Sequence, residues 1–145
     1  MRRFGEPFDA RQHYRLRPGA YAILHVGNNV LLTFQDQPKP EFQLPGGGID
    51  PGEQIIPALH REIFEETGWH ASGLKRLGVY QRFVYMPEYD LWAQKHCSIY
   101  AGRPTTRLGN PIEPDHTDFW CTISDAVMLL ANEGDVHFLK RYFGM

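Results

Sequence analysis

Three glutamates lie close together on one predicted helix. Glu62, Glu65 and Glu66 fall at positions i, i+3 and i+4, so at about 100° per residue their side chains project within roughly 100° of one another. Carboxylates this close repel one another and destabilise a helix unless a cation lies between them. Converging oxygen ligands suit Mg²⁺ or Mn²⁺. The spacing therefore predicts a metal site, although an ExxEE sequence by itself more often forms a solvated acidic face.

A glycine-rich turn followed by a short helix must position these carboxylates. Residues 46–48 are all glycine, which allows positive φ angles and a close approach to a ligand, and residues 50–52 form a strong turn signal. We expect a helix from Glu53 to about Thr67, because Pro57 is tolerated in a first turn and Gly68 can end a helix. A separate apolar stripe would pack inward: Ile56, Leu59 and Ile63. These flanking features favour the metal site over the solvated face.

Arg61 is the cation that this helix places nearest to the carboxylates. It precedes Glu65 by four residues and can also reach Glu53 at the helix start. Its guanidinium group would hold the carboxylates in a ligating orientation without itself binding the metal.

Residues 46–69 resemble the Nudix box, the signature of the Nudix hydrolase family. That signature asks for Gly, five residues, Glu, seven residues, Arg-Glu, a bulky apolar residue, any residue, Glu-Glu, any residue, Gly and a bulky residue. Every fixed position is present with the family's spacing: Gly47, Glu53, Arg61, Glu62, Ile63, Glu65, Glu66, Gly68 and Trp69. Trp69 replaces the more usual Ile, Leu or Val at the last position.

The resemblance implies both a fold and a chemistry. The fold would be the α/β Nudix fold, an α/β/α sandwich around a mixed β-sheet, over roughly residues 14–143. The chemistry would be hydrolysis of a nucleoside diphosphate or triphosphate linked to another moiety, with water attacking phosphorus and Mg²⁺ or Mn²⁺ as cofactor. The implied metal ligands are the Gly46 carbonyl oxygen, Glu62, Glu65 and Glu66. The implied catalytic residues are Glu53, Arg61, Glu65, Glu66 and Glu113, with either Glu65 or Glu113 as the general base.

The composition is that of one globular domain over residues 1–145. Its 42% hydrophobic and 22% charged residues are ordinary for a chain that buries a core. A net charge of −2 gives no electrostatic reason to expect general nucleic-acid or membrane binding. Cys97 and Cys121 lie in strand-like segments and indicate buried thiols rather than a disulfide. Because we find no signal peptide and no apolar run long enough to span a membrane, we expect a cytoplasmic protein.

Hydrophobic alternation predicts several strands and two further helices. An edge strand around Tyr14 would end before Pro18, and a strand buried on both faces would follow over residues 20–26. A helix capped by Ser124 and a terminal helix that starts at Asp135 would cover the sheet. The other predicted strands cover residues 30–34, 41–44, 77–85, 95–101 and 119–123.

Aromatic side chains lie in and beside the connection predicted over residues 86–94. Tyr85 and Trp92 could stack on a nucleobase if this loop lies near a phosphate site. Packing against the protein's own surface is an equal alternative for both rings.

A long proline-rich loop is predicted over residues 103–118. Loops of this length in compact domains are usually functional or mobile. A loop at this place supplies an extra metal ligand or the base in some Nudix enzymes, and Glu113 is the candidate here. Asp118 is a candidate for substrate binding, and His116 is the histidine best placed to reach the site.

The sequence leaves the substrate open. Some Nudix subfamilies carry a proline or tyrosine marker at a fixed distance after the box, and neither Tyr85 nor Pro87 matches such a marker cleanly. An oxidised nucleoside triphosphate, ADP-ribose, a dinucleoside polyphosphate and a 5′-triphosphate RNA end all remain candidates. The RNA end is the only nucleic acid among them, and a homodimer is left open.

Two functions of other classes also fit a Nudix fold. A binding module could sense a nucleotide without turnover, but such modules often lose glutamates that this sequence retains. An isomerase of isopentenyl diphosphate shares the fold and uses a cysteine and a glutamate, yet neither Cys97 nor Cys121 lies in a supporting motif.

Overall fold

A mixed β-sheet of eight strands forms the centre of the protein, and helices cover both of its faces. The computed structural model describes residues 1–145. The strands are β1 (Arg2–Gly5), β2 (Tyr14–Val26), β3 (Asn29–Gln35), β4 (Glu41–Gln43), β5 (Gly46–Gly48), β6 (Trp69–Met86), β7 (Leu91–Arg107) and β8 (His116–Thr122). The helices are α1 (Ile55–Thr67), α2 (Ile123–Leu129) and α3 (Glu133–Tyr142). The main path through the sheet is β1-β6-β7-β2-β3-β4, with β5 paired to β2 and β8 paired to β3.

Buried apolar clusters on both faces of the sheet confirm the predicted α/β/α sandwich. The cluster beneath α1 joins helix and strand residues: Leu59, Ile63, Ala20, Ala22 and Leu24. The cluster beneath α2 and α3 does the same on the opposite face: Ala126, Phe138, Leu139, Ile23 and Ile99. Each fully buried Leu, Ile or Phe contributes roughly 1.5–3 kcal/mol relative to an exposed side chain. The two clusters therefore fix α1 and α3 firmly against the sheet.

Strand β2 is longer and more central than the sequence predicts. Its residues Tyr14–Leu24 pair in parallel with Trp92–Gly102 of β7, so the prediction of a separate edge strand around Tyr14 is wrong. Pro18 does not end the strand, because the opposite edge of β2 has no strand partner before Gly19. Partners this far apart in sequence leave no local signal of their pairing.

Strands β6 and β7 form a long hairpin that replaces much of the predicted loop structure. Strand β6 begins at Trp69, directly after α1, and pairs with β7 as far as Arg107. Since β8 begins at His116, the irregular segment covers only residues 108–115, and the prediction of a loop over 103–118 is wrong in its extent.

Helix α1 follows its predicted bounds closely, and Leu59 and Ile63 of the predicted stripe are buried, but Ile56 is exposed. It spans Ile55–Thr67 with Pro57 in the first turn, and Gly68 after its end has a φ angle of +77°. The predicted start at Glu53 is slightly early, because the Glu53 N–H instead donates to the Asp50 carbonyl oxygen of the preceding turn at 3.0 Å.

The two C-terminal helices both begin earlier than predicted. Thr122 rather than Ser124 caps α2, since the Thr122 side-chain oxygen accepts an N–H of the first turn at 3.1 Å. Asn132 caps α3 in the same way at 2.9 Å, so this helix begins at Glu133 and Asp135 lies inside its first turn.

We expect Gly68→Ala to destabilise the protein more than Gly27→Ala. Both glycines have left-handed φ angles, +77° and +56°, where alanine costs roughly 1–2 kcal/mol. Only at Gly68 would the new Cβ also collide with another segment, 2.0 Å from the Gly109 carbonyl oxygen, whereas at Gly27 it meets open space. The free energies of unfolding from urea denaturation compare the two variants. Equal losses would contradict this close contact between α1 and the 108–115 segment.

Candidate active site

Strand β5 holds the glycine backbone in contact with a glutamate of α1. Residues Gly46–Gly48 pair antiparallel with Gly19–Tyr21 of β2. At Gly46 the φ angle is +149°, and a Cβ would lie 2.1 Å from the Ala20 carbonyl oxygen, so only glycine fits. The Gly46 N–H donates to Glu66 Oε1 at 3.0 Å. Strand β5 thereby fixes the Glu66 carboxylate relative to the sheet.

Arg61 joins the other carboxylates, as the sequence predicts for its position. Its guanidinium nitrogens lie 3.0 Å from Glu53 Oε2, 3.1 Å from Glu62 Oε1 and 3.2 Å from Glu65 Oε2. Glu53 is held from its other side, since its Oε1 accepts the Asp50 N–H at 2.9 Å. One cation therefore offsets the repulsion that three crowded carboxylates would otherwise cause.

Glu66 is the most buried of these carboxylates. Only 7% of the residue is exposed, and burial raises its pKa well above the usual range, against the lowering effect of the Gly46 N–H. Burial also raises the pKa of Glu62, which Arg61 partly opposes. Both carboxylates would be stabilised in their charged form by a cation placed next to them.

The residues present fit a divalent metal ion by their chemistry. All the candidate side-chain ligands are carboxylate oxygens, the donors that Mg²⁺ and Mn²⁺ prefer. Gly47 leaves room beside them, because a Cβ there would lie 2.7 Å from the Glu62 carboxylate. The carboxylates of Glu62, Glu65 and Glu66 do not converge on one point. No group of three acidic, histidine or cysteine side chains is close enough to hold an ion. Arg61 draws Glu62 and Glu65 to one side while Gly46 holds Glu66.

Thr33 and His116 form a hydrogen-bonded support behind Glu66 that the sequence analysis found only in part. The buried Thr33 hydroxyl donates to the Glu66 carbonyl oxygen at 3.2 Å, so it accepts from His116 Nδ1, which lies at 2.9 Å. The neutral histidine then carries its proton on Nδ1 and turns Nε2 towards Glu66 Oε2 at 3.8 Å. Burial lowers the pKa of His116, which favours this neutral form. Thr33 lies in an apolar strand, and no motif pointed to it.

The 108–115 segment is anchored to the C-terminal end of α1, which brings Glu113 to the site. The Glu113 N–H donates to the Glu65 carbonyl oxygen at 2.8 Å, and the Leu108 N–H donates to the Gly68 carbonyl oxygen at 2.9 Å. The charges of Glu62 and Glu113 also raise the pKa of Glu66, after the larger effect of burial.

A polar cleft of about 240 Å³ opens beside Gly46 and Glu66. Besides Glu66, its walls combine cations, amides, an aromatic ring and a second acid: Lys39, Arg82, Lys95, Gln35, Gln43, Asn132, Tyr21 and Glu41. Asp135 also lines the cleft and accepts the Tyr80 hydroxyl at 2.8 Å, and burial raises its pKa to about 6. Cations suit phosphates, and amides suit the hydrogen-bonding edge of a nucleobase. No sequence motif pointed to these residues, because only the sheet brings them together.

Tyr85 and Trp92 do not lie in this cleft. Trp92 is part of β7, and the connection between β6 and β7 is a short turn at residues 87–90. The two rings are 5.3 Å apart and line a separate cleft at the far end of β2, beside Tyr14. The stacking role predicted for them at the glutamates therefore has no geometric support.

Asp118 is likewise held away from the cleft. It accepts hydrogen bonds from Arg107 Nε at 2.9 Å and from Trp69 Nε1 at 3.2 Å. These bonds tie β8 to the ends of β7 and β6, so the structure gives Asp118 a connecting role rather than a contact with substrate.

The buried thiol of Cys97 gives no support to the isomerase alternative. Cys97 belongs to the core cluster beneath α2 and α3, and burial raises its pKa to about 11. A protonated thiol packed among apolar side chains is not a reactive group.

The fold and the site together define an α/β sandwich in which a glycine strand and one helix present carboxylates beside a polar cleft. The sequence profile of the NUDIX domain matches residues 15–142. The chain therefore belongs to the NUDIX family.

Similar proteins carry related names. The chain is 39% identical over 74 residues to the "Putative 8-oxo-dGTP diphosphatase" of Bacillus subtilis (strain 168), which covers 51% of this chain and 50% of that protein. It is 31% identical over 94 residues to an RNA pyrophosphohydrolase of Helicobacter pylori (strain G27), an alignment that covers 61% of this chain and 57% of that protein. Among solved structures, a NUDIX hydrolase from Nitrosomonas europaea aligns with a TM-score of 0.73 at 17% identity, covering 90% of both chains. The MutT NUDIX hydrolase from Burkholderia pseudomallei aligns with a TM-score of 0.70 at 21% identity, covering 87% of this chain and 97% of that one.

The chain spans about half the length of the curated relatives it matches. The solved structures support the fold alone at these identities. None of the protein's helices is long and apolar enough to cross a membrane.

Proposed function

We propose that the protein is a Nudix pyrophosphohydrolase that cleaves a nucleoside diphosphate or triphosphate linked to another moiety, with Mg²⁺ or Mn²⁺ as cofactor. The observation that carries this proposal is Glu66, a buried carboxylate bound by the Gly46 N–H at the edge of the polar cleft. The names of the relatives, an 8-oxo-dGTP diphosphatase and RNA pyrophosphohydrolases, support the choice of a phosphorylated nucleoside as substrate.

The proposed metal ligands are the Gly46 carbonyl oxygen, Glu62, Glu65 and Glu66. Bound divalent ions neutralise the charge of a diphosphate and activate water for attack on phosphorus. Arg61 and Glu53 act as positioning residues, because the guanidinium group that holds Glu62 and Glu65 is itself held by Glu53.

Two acidic residues remain as the proposed general base. Glu65 lies on α1 in contact with Arg61, and Glu113 lies on the segment whose backbone is bonded to Glu65. Either carboxylate would accept the proton of the attacking water. Separate Glu65→Gln and Glu113→Gln variants distinguish them, since loss of the base lowers kcat more than it raises KM.

The cleft supplies the contacts to the rest of the substrate. Lys95 and Arg82 line the same cleft as Glu66 and would hold the phosphates. Asn132 uses its side-chain oxygen to cap α3, so its amide N–H groups are left to donate to a nucleobase.

Phosphate release from a panel of nucleotides tests the proposal. We expect hydrolysis of one class among 8-oxo-dGTP, ADP-ribose, dinucleoside polyphosphates and 5′-triphosphate RNA, with activity lost on chelation and restored by Mg²⁺ or Mn²⁺. Activity that survives complete chelation would refute the metal role. Metal-dependent nucleotide binding without any hydrolysis would replace the proposal by a nucleotide-sensing module.

A further inference from the structure

Four cationic side chains lie on one face of the sheet, starting inside the polar cleft. Lys95 on β7 is in register with Arg17 on β2 and with Arg82 on β6, so all three side chains point to the same face. Adjacent strands are about 4.8 Å apart, which spaces these residues evenly across the sheet. Arg15 precedes Arg17 by two residues and extends the row along β2 on the same face. We call these four residues the cationic row.

No carboxylate forms a salt bridge with any member of the cationic row. Three acids line the polar cleft with Lys95 and Arg82: Glu41, Glu66 and Asp135. Lys95 and Arg82 lower the pKa of Asp135 against the larger effect of burial, and Asp135 is already bonded to Tyr80. Lys95 is half-buried, with its Nζ 6.0 Å from the centre of the Tyr21 ring. In a protein with a net charge of −2, unpaired cations concentrated on one face provide a site for an anion.

The outer end of the row meets exposed aromatic rings in a second cleft of about 880 Å³. The guanidinium carbon of Arg17 lies 5.1 Å from the centre of the Tyr89 ring. Tyr89 is 58% exposed, so its ring has surface available for a flat partner. Arg15 also lines this cleft.

Not every ring in this second cleft is available to a ligand. The centre of the Tyr14 ring lies 4.8 Å from that of Phe83 and 5.4 Å from that of Phe8. Tyr14 is therefore part of the protein's own packing. The Trp92 ring belongs to the same packed group, since its centre lies 6.1 Å from that of Tyr14. Tyr89 makes no such ring contact, and beside two arginines it forms a platform on which a base can stack.

We propose that the cationic row and Tyr89 bind the nucleotides that follow the reacting end of a single-stranded RNA. This inference rests on the proposed function, because the 5′ phosphates of the RNA would occupy the cleft beside Glu66. The chain would then leave over Lys95 and Arg17, with its backbone phosphates at the arginines and a base on Tyr89. The contacts at the outer end of the row, with Arg15 and Tyr89, favour the longer substrate. The bases must be unpaired, since a base stacked inside a duplex cannot lie on a protein ring.

Binding of an unreactive oligonucleotide tests the surface apart from catalysis. The probe is a 3′-labelled single-stranded RNA of about eight nucleotides with a 5′-hydroxyl end, measured by fluorescence anisotropy without divalent ions. We expect Arg15→Ala/Arg17→Ala to weaken binding on the order of tenfold and to reduce the salt dependence, with a slope of log K smaller by about 1.4 for two lost phosphate contacts. Tyr89→Leu should weaken binding with the salt slope unchanged, because stacking releases no counterions.

A matched control removes the same charge from β6, away from the cationic row. Lys75 and Arg76 are both exposed and lie at the end of β6 that follows α1, opposite Ala101 and Tyr100 of β7. Lys75→Ala/Arg76→Ala should leave oligonucleotide binding within about twofold of wild type. An equal loss in this control, or oligonucleotide binding no tighter than that of a mononucleotide, would overturn the inference.

Turnover separates the inference from the proposed function. We expect the ratio of kcat/KM for 5′-triphosphate RNA to that for GTP to fall about tenfold in Arg15→Ala/Arg17→Ala. Hydrolysis of GTP and RNA with an unchanged ratio would overturn the inference and leave the proposed function standing. No hydrolysis of either substrate, with oligonucleotide binding that depends on Arg15 and Arg17, would overturn the proposed function and support the surface.

Discussion

Glu66→Gln is expected to abolish turnover while the protein keeps its fold. Glutamine preserves the size of the side chain, and its carbonyl oxygen can still accept the Gly46 N–H that Glu66 binds at 3.0 Å. Glutamine lacks the negative charge that we propose holds a divalent ion. We expect kcat to fall by about 10²-fold or more. Steady-state kinetics at saturating Mg²⁺ measure the effect, with the exposed Glu6→Gln as the matched control.

The same substitution should stabilise the metal-free protein, although it abolishes turnover. Burial raises the pKa of Glu66 in the folded state above its unfolded value. The contribution of this carboxyl to stability is therefore fully present below the unfolded pKa and is lost as pH rises through the folded pKa. Glutamine does not titrate, so the Tm advantage of Glu66→Gln over wild type should grow as pH increases. Added Mg²⁺ should raise the Tm of wild type and not that of the variant. Unchanged turnover together with an unchanged response to Mg²⁺ would refute the role of Glu66.

The helix of the site could be predicted because its information is local. The glycine residues, the turn at 50–52, the position of Pro57 and the spacing of the glutamates all lie within one short stretch. Each part favours the same local structure independently of the rest of the chain, and the structure places α1 within two residues of its prediction. The contacts of Arg61 followed from helical spacing for the same reason.

The cleft and the support behind Glu66 could not be predicted, because strand pairing brings their residues together. Lys95 lies beside Arg82 only through the register of β6 and β7, and a shift of one residue would turn either side chain to the opposite face. Thr33 reaches His116 because β3 pairs with β8 across most of the chain length. Trp92 was misplaced for a related reason, since the turn between β6 and β7 is shorter than its proline and aromatic residues indicated.

Arg61→Ala is expected to lower activity by roughly 10-fold to 100-fold, the usual effect of removing a group that orients metal ligands. Arg61 contacts three carboxylates at 3.0–3.2 Å. Without it Glu62 and Glu65 repel each other and lose the fixed orientation in which they can share an ion. The stability of the fold should change little, because 40% of the Arg61 side chain is exposed and ion pairs of this kind contribute weakly.

The expected pH dependence distinguishes this positioning role from a purely structural one. Arg61 lowers the pKa of Glu62 against the larger raising effect of burial, and it lowers the pKa of Glu53 together with the Asp50 N–H. Removing the guanidinium therefore raises both pKa values, and the acidic limb of the kcat/KM profile should move to higher pH.

Arg61→Lys separates charge from geometry in the same assay. Lysine keeps the positive charge and so should restore the position of the acidic limb, but its single ammonium group cannot contact three carboxylates as the planar guanidinium does. We expect this variant to need more Mn²⁺ than wild type for half-maximal activity, because the carboxylates stay charged but are less well ordered. An Arg61→Ala protein with the Mn²⁺ requirement and acidic limb of wild type would mean that Glu62 and Glu65 are ordered by other contacts. The convergence of the glutamates would then depend on the ion alone.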